Sequence, residues 1–217
     1  MTSDVVASIS CDGGPMPARI VYLLDDEEAV QRDALAFLLA SCGFEVRPYA
    51  SGPELLAAVD AEASPLCGVF LLDIRMEPMS GQRVHEALTE RGLRNPVLFL
   101  SGHGDIPMAV DALKNGAFDF LEKPYSDNAL AKRIAQALDV DAAMRSQDAL
   151  VNERRARLSS LTERELEVMH RVAAGKLNKI IADDLHVSVR TVEVHRARVF
   201  AKLGVRSAAE VATLLAR

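Results

Sequence analysis

Val69-Phe70-Leu71-Leu72-Asp73 closes four consecutive apolar residues on a carboxylate, and three other stretches of this 217-residue chain have a similar form. Val21-Tyr22-Leu23-Leu24 runs into Asp25-Asp26, Val97-Leu98-Phe99-Leu100 into Ser101, and Phe118-Asp119-Phe120-Leu121 comes just before Lys123. Short apolar runs bounded by turn signals read as strands buried on both faces of a parallel sheet. Such sheets bind ligands in the crevice beyond their strands' carboxyl ends. Three carboxylates, a hydroxyl and an ammonium therefore meet at one edge.

Between these runs the pattern becomes helical. Glu27 to Ser41 places Val30, Ala34, Leu35, Leu38 and Leu39 on one face, and Gly43 ends it. Phe44 to Tyr49 reads as a second strand, and Ser51-Gly52-Pro53-Glu54 opens the next helix as a capping box. Further helices run from Gly81 to Arg91 and from Ile106 to Asn115, and Ser126 caps a fifth that buries Leu130, Ile134 and Leu138. Five strand–helix units predict an α/β fold, a doubly wound five-stranded parallel sheet.

Asp25 and Asp26 set against Asp73 repel one another unless a hard cation lies between them. Mg²⁺ suits such a site, because it takes one or two carboxylates and keeps several waters. A metal there polarises a phosphoryl group under attack. Asp73 is the nucleophile candidate, since carboxylates form acyl phosphates. Lys123 can pair with phosphoryl oxygens and Ser101 can hydrogen-bond one of them. Each residue also has a plain reading as a helix cap, a turn or a surface charge; their recurrence at matching strand ends favours the site.

Downstream the chain changes character. Residues 1–140 hold 21 acidic and 11 basic side chains, net −10, whereas residues 141–217 hold 10 and 14, net +4. The overall charge of −6 hides an acidic module joined to a small basic one, which suits a polyanion. No Gly or Pro occurs between Tyr125 and Ala174, and Ala137, Met144, Val151 and Leu158 recur every seven residues. Val140, Gln147 and Arg154 between them are mostly polar, so the segment reads as a helical connector, either a solvated spacer or one side of a coiled coil. Beyond it Thr162-Glu163-Arg164-Glu165 is a capping box, Asn178 to Leu185 a short helix, and His186-Val187-Ser188 a tight turn. Ser188 caps a helix that Gly204 stops, and Ser207 caps the last. Two short helices about a three-residue turn make a helix-turn-helix.

Although 49% of the residues are apolar, no run approaches the roughly 18 that a membrane span needs, so no membrane partner is expected. Cys11, Cys42 and Cys67 are odd in number and lack metal-ligand spacing, which fits a reducing cytoplasm. Residues 1–17 have no secretory pattern and read as a disordered tail, with Met16 an alternative translation start. Neither His103 nor His85 is read as catalytic.

The order Asp25-Asp26, Asp73, Ser101, Lys123-Pro124 resembles the flavodoxin-like receiver domain of bacterial two-component response regulators. Gly102-His103-Gly104-Asp105-Ile106-Pro107-Met108-Ala109-Val110 is similar in particular to the FixJ subgroup. The resemblance implies Mg²⁺ held by Asp25, Asp26, Asp73 and the backbone carbonyl of Arg75, with Asp26 as the direct ligand of the acidic pair. It implies phosphorylation of Asp73 by a sensor histidine kinase, Ser101 and Phe120 as the switch pair, and a cis Lys123-Pro124 bond. One feature departs from it. The family usually has Met-Pro after the phosphoacceptor, whereas Asp73-Ile74-Arg75-Met76-Glu77-Pro78 brings the proline one residue late, so this loop should differ locally.

Leu161-Thr162-Glu163-Arg164-Glu165, Asn178-Lys179-Ile180-Ile181-Ala182 and Ser188-Val189-Arg190-Thr191-Val192-Glu193-Val194-His195-Arg196 resemble the LuxR-type DNA-binding domain. The third helix carries Arg190, Arg196, Arg198 and Lys202 beside apolar Val192, Val199 and Leu203, so it can pack one face and offer the other to the major groove. Lys179 and Thr191 are further phosphate contacts. Alignment with the family turns Glu193, Val194 and Ala197 toward base edges. Glu193 also stands three residues from Arg190 and from Arg196, where a surface ion pair explains it equally well. His195 serves either as a phosphate contact or in packing.

The domains expected are a tail (1–17), a receiver (18–140), a helical linker (141–158) and a DNA-binding domain (159–217). The function expected is a phosphorylation-controlled transcription factor that dimerises through its receiver when phosphorylated, with promoter DNA and RNA polymerase as partners. Two alternatives are weaker. A Mg²⁺-dependent phosphohydrolase commonly needs a second Asp two residues after the nucleophile, where this chain has Arg75. A phosphorylation-independent dimeric DNA-binding regulator fits the shifted Pro78 but not the intact set of site residues.

Overall fold

The computed structural model describes residues 19–26, 29–63, 65–102 and 106–216. The readings of the N-terminal tail, Met16, Cys11 and His103 lie outside the described residues. The chain divides into two compact units, Met1–Met144 and Arg145–Arg217.

In the first unit the strands are β1 (Ile20–Leu24), β2 (Glu45–Tyr49), β3 (Val69–Asp73), β4 (Val97–Ser101) and β5 (Asp119–Glu122). All pair in parallel in the order β2-β1-β3-β4-β5. The helices are α1 (Ala29–Ser41), α2 (Gly52–Ala61), α3 (Gly81–Glu90), α4 (Ile106–Lys114) and α5 (Asp127–Ser159). Strand side chains alternate between two cores. Tyr22, Leu24, Phe70, Leu72 and Phe99 pack with Leu55 and Val59 of α2 and Val84 and Leu88 of α3. Val21, Leu23, Leu71, Leu98 and Leu100 pack with Leu39 of α1 and Leu130, Ile134 and Leu138 of α5. Every residue of β1, β3 and β4 is buried, as the unbroken apolar runs require for central parallel strands.

Local signals set the helix ends. Ser51, Ser80 and Ser126 each accept a backbone N–H from the first turn that follows. At α2 the expected box closes differently, since the Glu54 carboxylate accepts the Ala50 N–H instead of that of Ser51. The expected face of α1 is corrected more substantially. Leu39 is buried and Leu35 and Leu38 are half-buried, but Ala34 is exposed and Val30 is 76% exposed. A stripe at helical spacing marks the correct face only if the helix starts in the assumed phase, and here the buried side centres on Leu35 and Leu39 instead of Val30 and Ala34.

The 33-residue α5 runs unbroken past the boundary between the units. Its seven-residue repeat does not form one seam, because Ala137 belongs to the core under the sheet and Leu158 packs on the core of the second unit. In that second unit α6 (Glu163–Ala173), α7 (Asn178–Leu185), α8 (Val189–Leu203) and α9 (Ala208–Ala216) enclose Val168, Val172, Ile181, Val192, Val199, Leu203 and Val211. Thr162 and Glu165 form the expected reciprocal capping box on α6. His186 turns the chain in the left-handed region at φ 53°, Ser188 caps α8, and Gly204 ends it at φ 68°.

Candidate functional site

The strand order brings the predicted residues to one edge. β1 and β3 are neighbours although β2 lies between them in sequence, so this is where the order reverses and where open α/β sheets bind ligands. Asp25 follows β1 and is 2% exposed, Asp73 ends β3, and Ser101 ends β4 and is likewise buried. Lys123 follows β5, anchored by its backbone N–H to the Ser101 carbonyl at 2.7 Å. Its ammonium reaches across the edge, 2.7 Å from Asp73 Oδ2 and 3.5 Å from Asp25 Oδ2. Both carboxylates are largely removed from water, where an ion pair is strong only when its geometry is good.

The second oxygen of Asp73, Oδ1, accepts the Arg75 N–H at 2.9 Å. Asp26 is exposed, and its Oδ2 accepts the Glu77 N–H at 3.1 Å, tying the loop after β3 to the end of β1. In that loop the Glu77-Pro78 bond is cis, and so is Lys123-Pro124. Ser101 Oγ lies 3.5 Å from the Leu121 carbonyl, a long contact that leaves the hydroxyl weakly held. Phe120 is half-buried against the core. Among the described residues no three carboxylate, imidazole or thiol groups converge as a metal centre, and Lys123 sets a positive charge among these carboxylates. The donors nevertheless fit Mg²⁺, which prefers hard oxygen ligands, needs only one or two from protein and fills the rest with water.

In the second unit α8 presents a continuous exposed stripe of Arg190, Glu193, Val194, Ala197 and Arg198, with Lys179 of α7 also exposed. Thr191 is half-buried and its hydroxyl pairs with that of Ser188 at 2.8 Å. Arg196 donates to Asn178 Oδ1 at 2.9 Å and lies over the Phe200 ring, so it braces α7 against α8. His195 Nδ1 is buried without a hydrogen-bond partner among the described residues.

Residues 21–135 match the response regulator receiver domain, and residues 159–215 match the luxR family of bacterial regulatory proteins. The chain is a two-component response regulator. The C4-dicarboxylate transport transcriptional regulatory protein DctR of Rhodobacter capsulatus is 45% identical over 198 residues, 89% of this chain and 98% of that protein. The transcriptional regulatory protein FixJ of Rhizobium meliloti is 43% identical over 187 residues, 86% and 90% of the two chains. Among solved structures, the low-resolution response regulator StyR is 36% identical with a TM-score of 0.83, covering 92% of this chain and 99% of its own. Full-length FixJ from B. japonicum is 35% identical with a TM-score of 0.57, covering 93% and 97%. This response regulator is a transcriptional regulator with a LuxR-type domain, not a classical enzyme, and no described helix is long and apolar enough to cross a membrane.

Lys202 departs from expectation in this regulator. Its ammonium sits 2.7 Å from Glu165 Oε2 and 2.9 Å from the Ser160 carbonyl, so it is a brace between α8 and α6 and not an unengaged phosphate contact. Glu165 is 3% exposed, and Lys202 together with the Thr162 N–H pulls its carboxyl down to about 2. The sequence marked Glu165 only as a capping residue; its partner lies 37 positions away with no local signal. Two further residues went unmarked. Gly81 lets α3 start against the Asp73 carbonyl, and Asp141 is buried where α5 leaves the receiver.

Proposed function

We propose that this response regulator takes a phosphoryl group on Asp73 from a cognate sensor histidine kinase, dimerises through its receiver, and then binds promoter DNA. The observation that carries the reading is the Lys123 ammonium, 2.7 Å from the buried Asp73 carboxylate. Attack by an Asp73 oxygen on the kinase's phosphohistidine breaks a P–N bond and forms an acyl phosphate, returning the bonding pair to the imidazole. Lys123 then balances charge on the phosphoryl oxygens. Ser101, held by only a 3.5 Å contact, would turn toward one of them, and half-buried Phe120 on the next strand would turn inward behind it. Asp25, Asp26, Asp73 and the Arg75 carbonyl would hold Mg²⁺, which when bound neutralises phosphoryl charge.

The receiver would occupy 18–140, the linker 141–158 and the DNA-binding domain 159–217, in the cytoplasm. Glu193, Val194 and Ala197 would read bases, Lys179, Arg190, Thr191, His195 and Arg198 phosphate, and promoter binding would bring RNA polymerase as a further partner. Dimerisation multiplies affinity by placing two recognition helices on neighbouring half-sites. The test is beryllofluoride with Mg²⁺, reading oligomer size and DNA affinity for wild type and Asp73→Ala. Wild type should become dimeric and bind DNA more tightly, and Asp73→Ala should do neither. An unresponsive wild type that is already dimeric on DNA would instead establish a phosphorylation-independent regulator.

A further inference from the structure

Asp141 is the last buried residue of α5, and no described α5 side chain beyond it is buried. A carboxylate is tolerated at 3% exposure only when its oxygens find donors. Asp141 Oδ2 accepts the Gly68 N–H at 3.0 Å, and Oδ1 accepts from Asn95 Nδ2 at 3.3 Å. The two hydrogens of the same Asn95 amide nitrogen are shared with the carbonyls of Leu66 and Gly68, at 3.1 and 3.0 Å. Gly68 sits at φ +116° with its Cα so close to Ile20 that a Cβ would meet the Ile20 carbonyl oxygen at 2.2 Å. The chain is thereby fixed with its N–H directed at Asp141.

We propose that Asp141, Asn95 and the Gly68 amide form a latch that holds the exit turn of α5 to the amino-terminal ends of β3 and β4, and that the state of the phosphoryl site is passed to the DNA-binding unit through it. This rests on the receiver reading given above. The placement supports a positioning role because β3 and β4 carry Asp73 and Ser101 at their other ends, only about 13 Å away along a five-residue strand. Any shift of those strands reaches α5 directly, and α5 continues without a break to Ser159. The Gly68 N–H and the Asn95 amide are both donors, one on each Asp141 oxygen, so a side chain with two acceptor oxygens is needed to satisfy them.

The latch makes Asp141→Asn a sharp test, since the amide keeps the shape but turns an N–H₂ toward a donor. The full-length chain is assayed on a duplex selected from a random pool by the wild type, with and without beryllofluoride and Mg²⁺. Wild type should tighten on DNA by at least about fivefold, an ordinary allosteric coupling. Asp141→Asn and Asn95→Ala should still bind beryllofluoride, yet tighten by less than about twofold. Val59→Ala, which loosens the α2 core away from α5, should melt lower and keep the wild-type ratio. Amide exchange across residues 138–148 should quicken in Asp141→Asn but not in Val59→Ala. Wild-type ratios in both latch variants would overturn the relay while leaving the receiver reading intact. A wild type that ignores beryllofluoride would sink the receiver reading, and the relay with it.

Discussion

A methyl group at position 81 would lie 2.1 Å from the Asp73 carbonyl oxygen and 3.3 Å from the Phe99 ring. Gly81 therefore sets how closely α3 approaches the phosphoacceptor, an approach reinforced by the Gly81 N–H donating to the Ile74 carbonyl at 3.1 Å. Gly81→Ala must push that backbone aside. Overpacking of this kind costs about 1–3 kcal/mol, so urea unfolding should show a loss of that size and titration calorimetry a weaker beryllofluoride complex. A variant as stable as wild type would mean that the contact relaxes freely. An ammonium just beyond a strand that ends at a carboxylate-lined edge is legible from residue type, whereas Gly81 looks like an ordinary helix start until the carbonyl beside it is known.

The recognition helix α8 divides its cations between two tasks. Arg190 and Arg198 are exposed on the stripe with Glu193, Val194 and Ala197, while Arg196 and Lys202 brace α7 and α6. The salt dependence of DNA binding separates the two groups. Arg190→Ala combined with Arg198→Ala should lower the slope of log affinity against log salt by about 2 and leave thermal stability near wild type. Lys202→Met should leave the slope unchanged and lower stability, because it strands the buried Glu165 carboxylate. A reduced slope in Lys202→Met would return that residue to the DNA face. Helical periodicity marked α8 as amphipathic but not which cations its flanks would lose to α6 and α7, since those partners lie 18 and 37 residues away.

Over the whole molecule, two buried groups, one in each unit, give the units different responses to acid. In the receiver, burial against Phe99 pushes the His85 imidazole below its ordinary value, only partly opposed by Glu86. Below about pH 6.5 the unfolded chain binds a proton there that the folded chain does not, so receiver stability falls with pH from that point. Glu165 behaves as a depressed carboxyl, lowered to about 2. Its contribution persists above the ordinary carboxyl value of about 4.3 and is lost only as pH drops from there toward 2. Between pH 7.5 and 5.5 the receiver should therefore soften while the DNA-binding unit holds. All three tyrosines, Tyr22, Tyr49 and Tyr125, lie in the receiver and the chain has no Trp, so tyrosine fluorescence follows that unit alone. The drop in its melting temperature should shrink in His85→Gln, and helical circular dichroism should register the second unit only below about pH 4.5. Equal softening of both units at pH 5.5 would refute this order.

The sheet, the helix-turn-helix and most residues of the phosphoryl edge are legible from local pattern alone. Apolar runs of four, polar residues at their ends and Ser or Gly at helix boundaries are local signals, and Asp25, Asp73, Ser101 and Lys123 each terminate or closely follow such a run. The face that α1 turns inward, the loss of Lys202 to Glu165, the close approach at Gly81 and the buried Asp141 emerge only when the chain packs. Each depends on which distant backbone or side chain arrives alongside. Asp141 meets Gly68 from 73 positions away, and no local pattern in a 33-residue helix distinguishes that carboxylate from a solvated one. Burial and hydrogen-bond partners belong to the packed chain, and they turn an ordinary Asp into a tether.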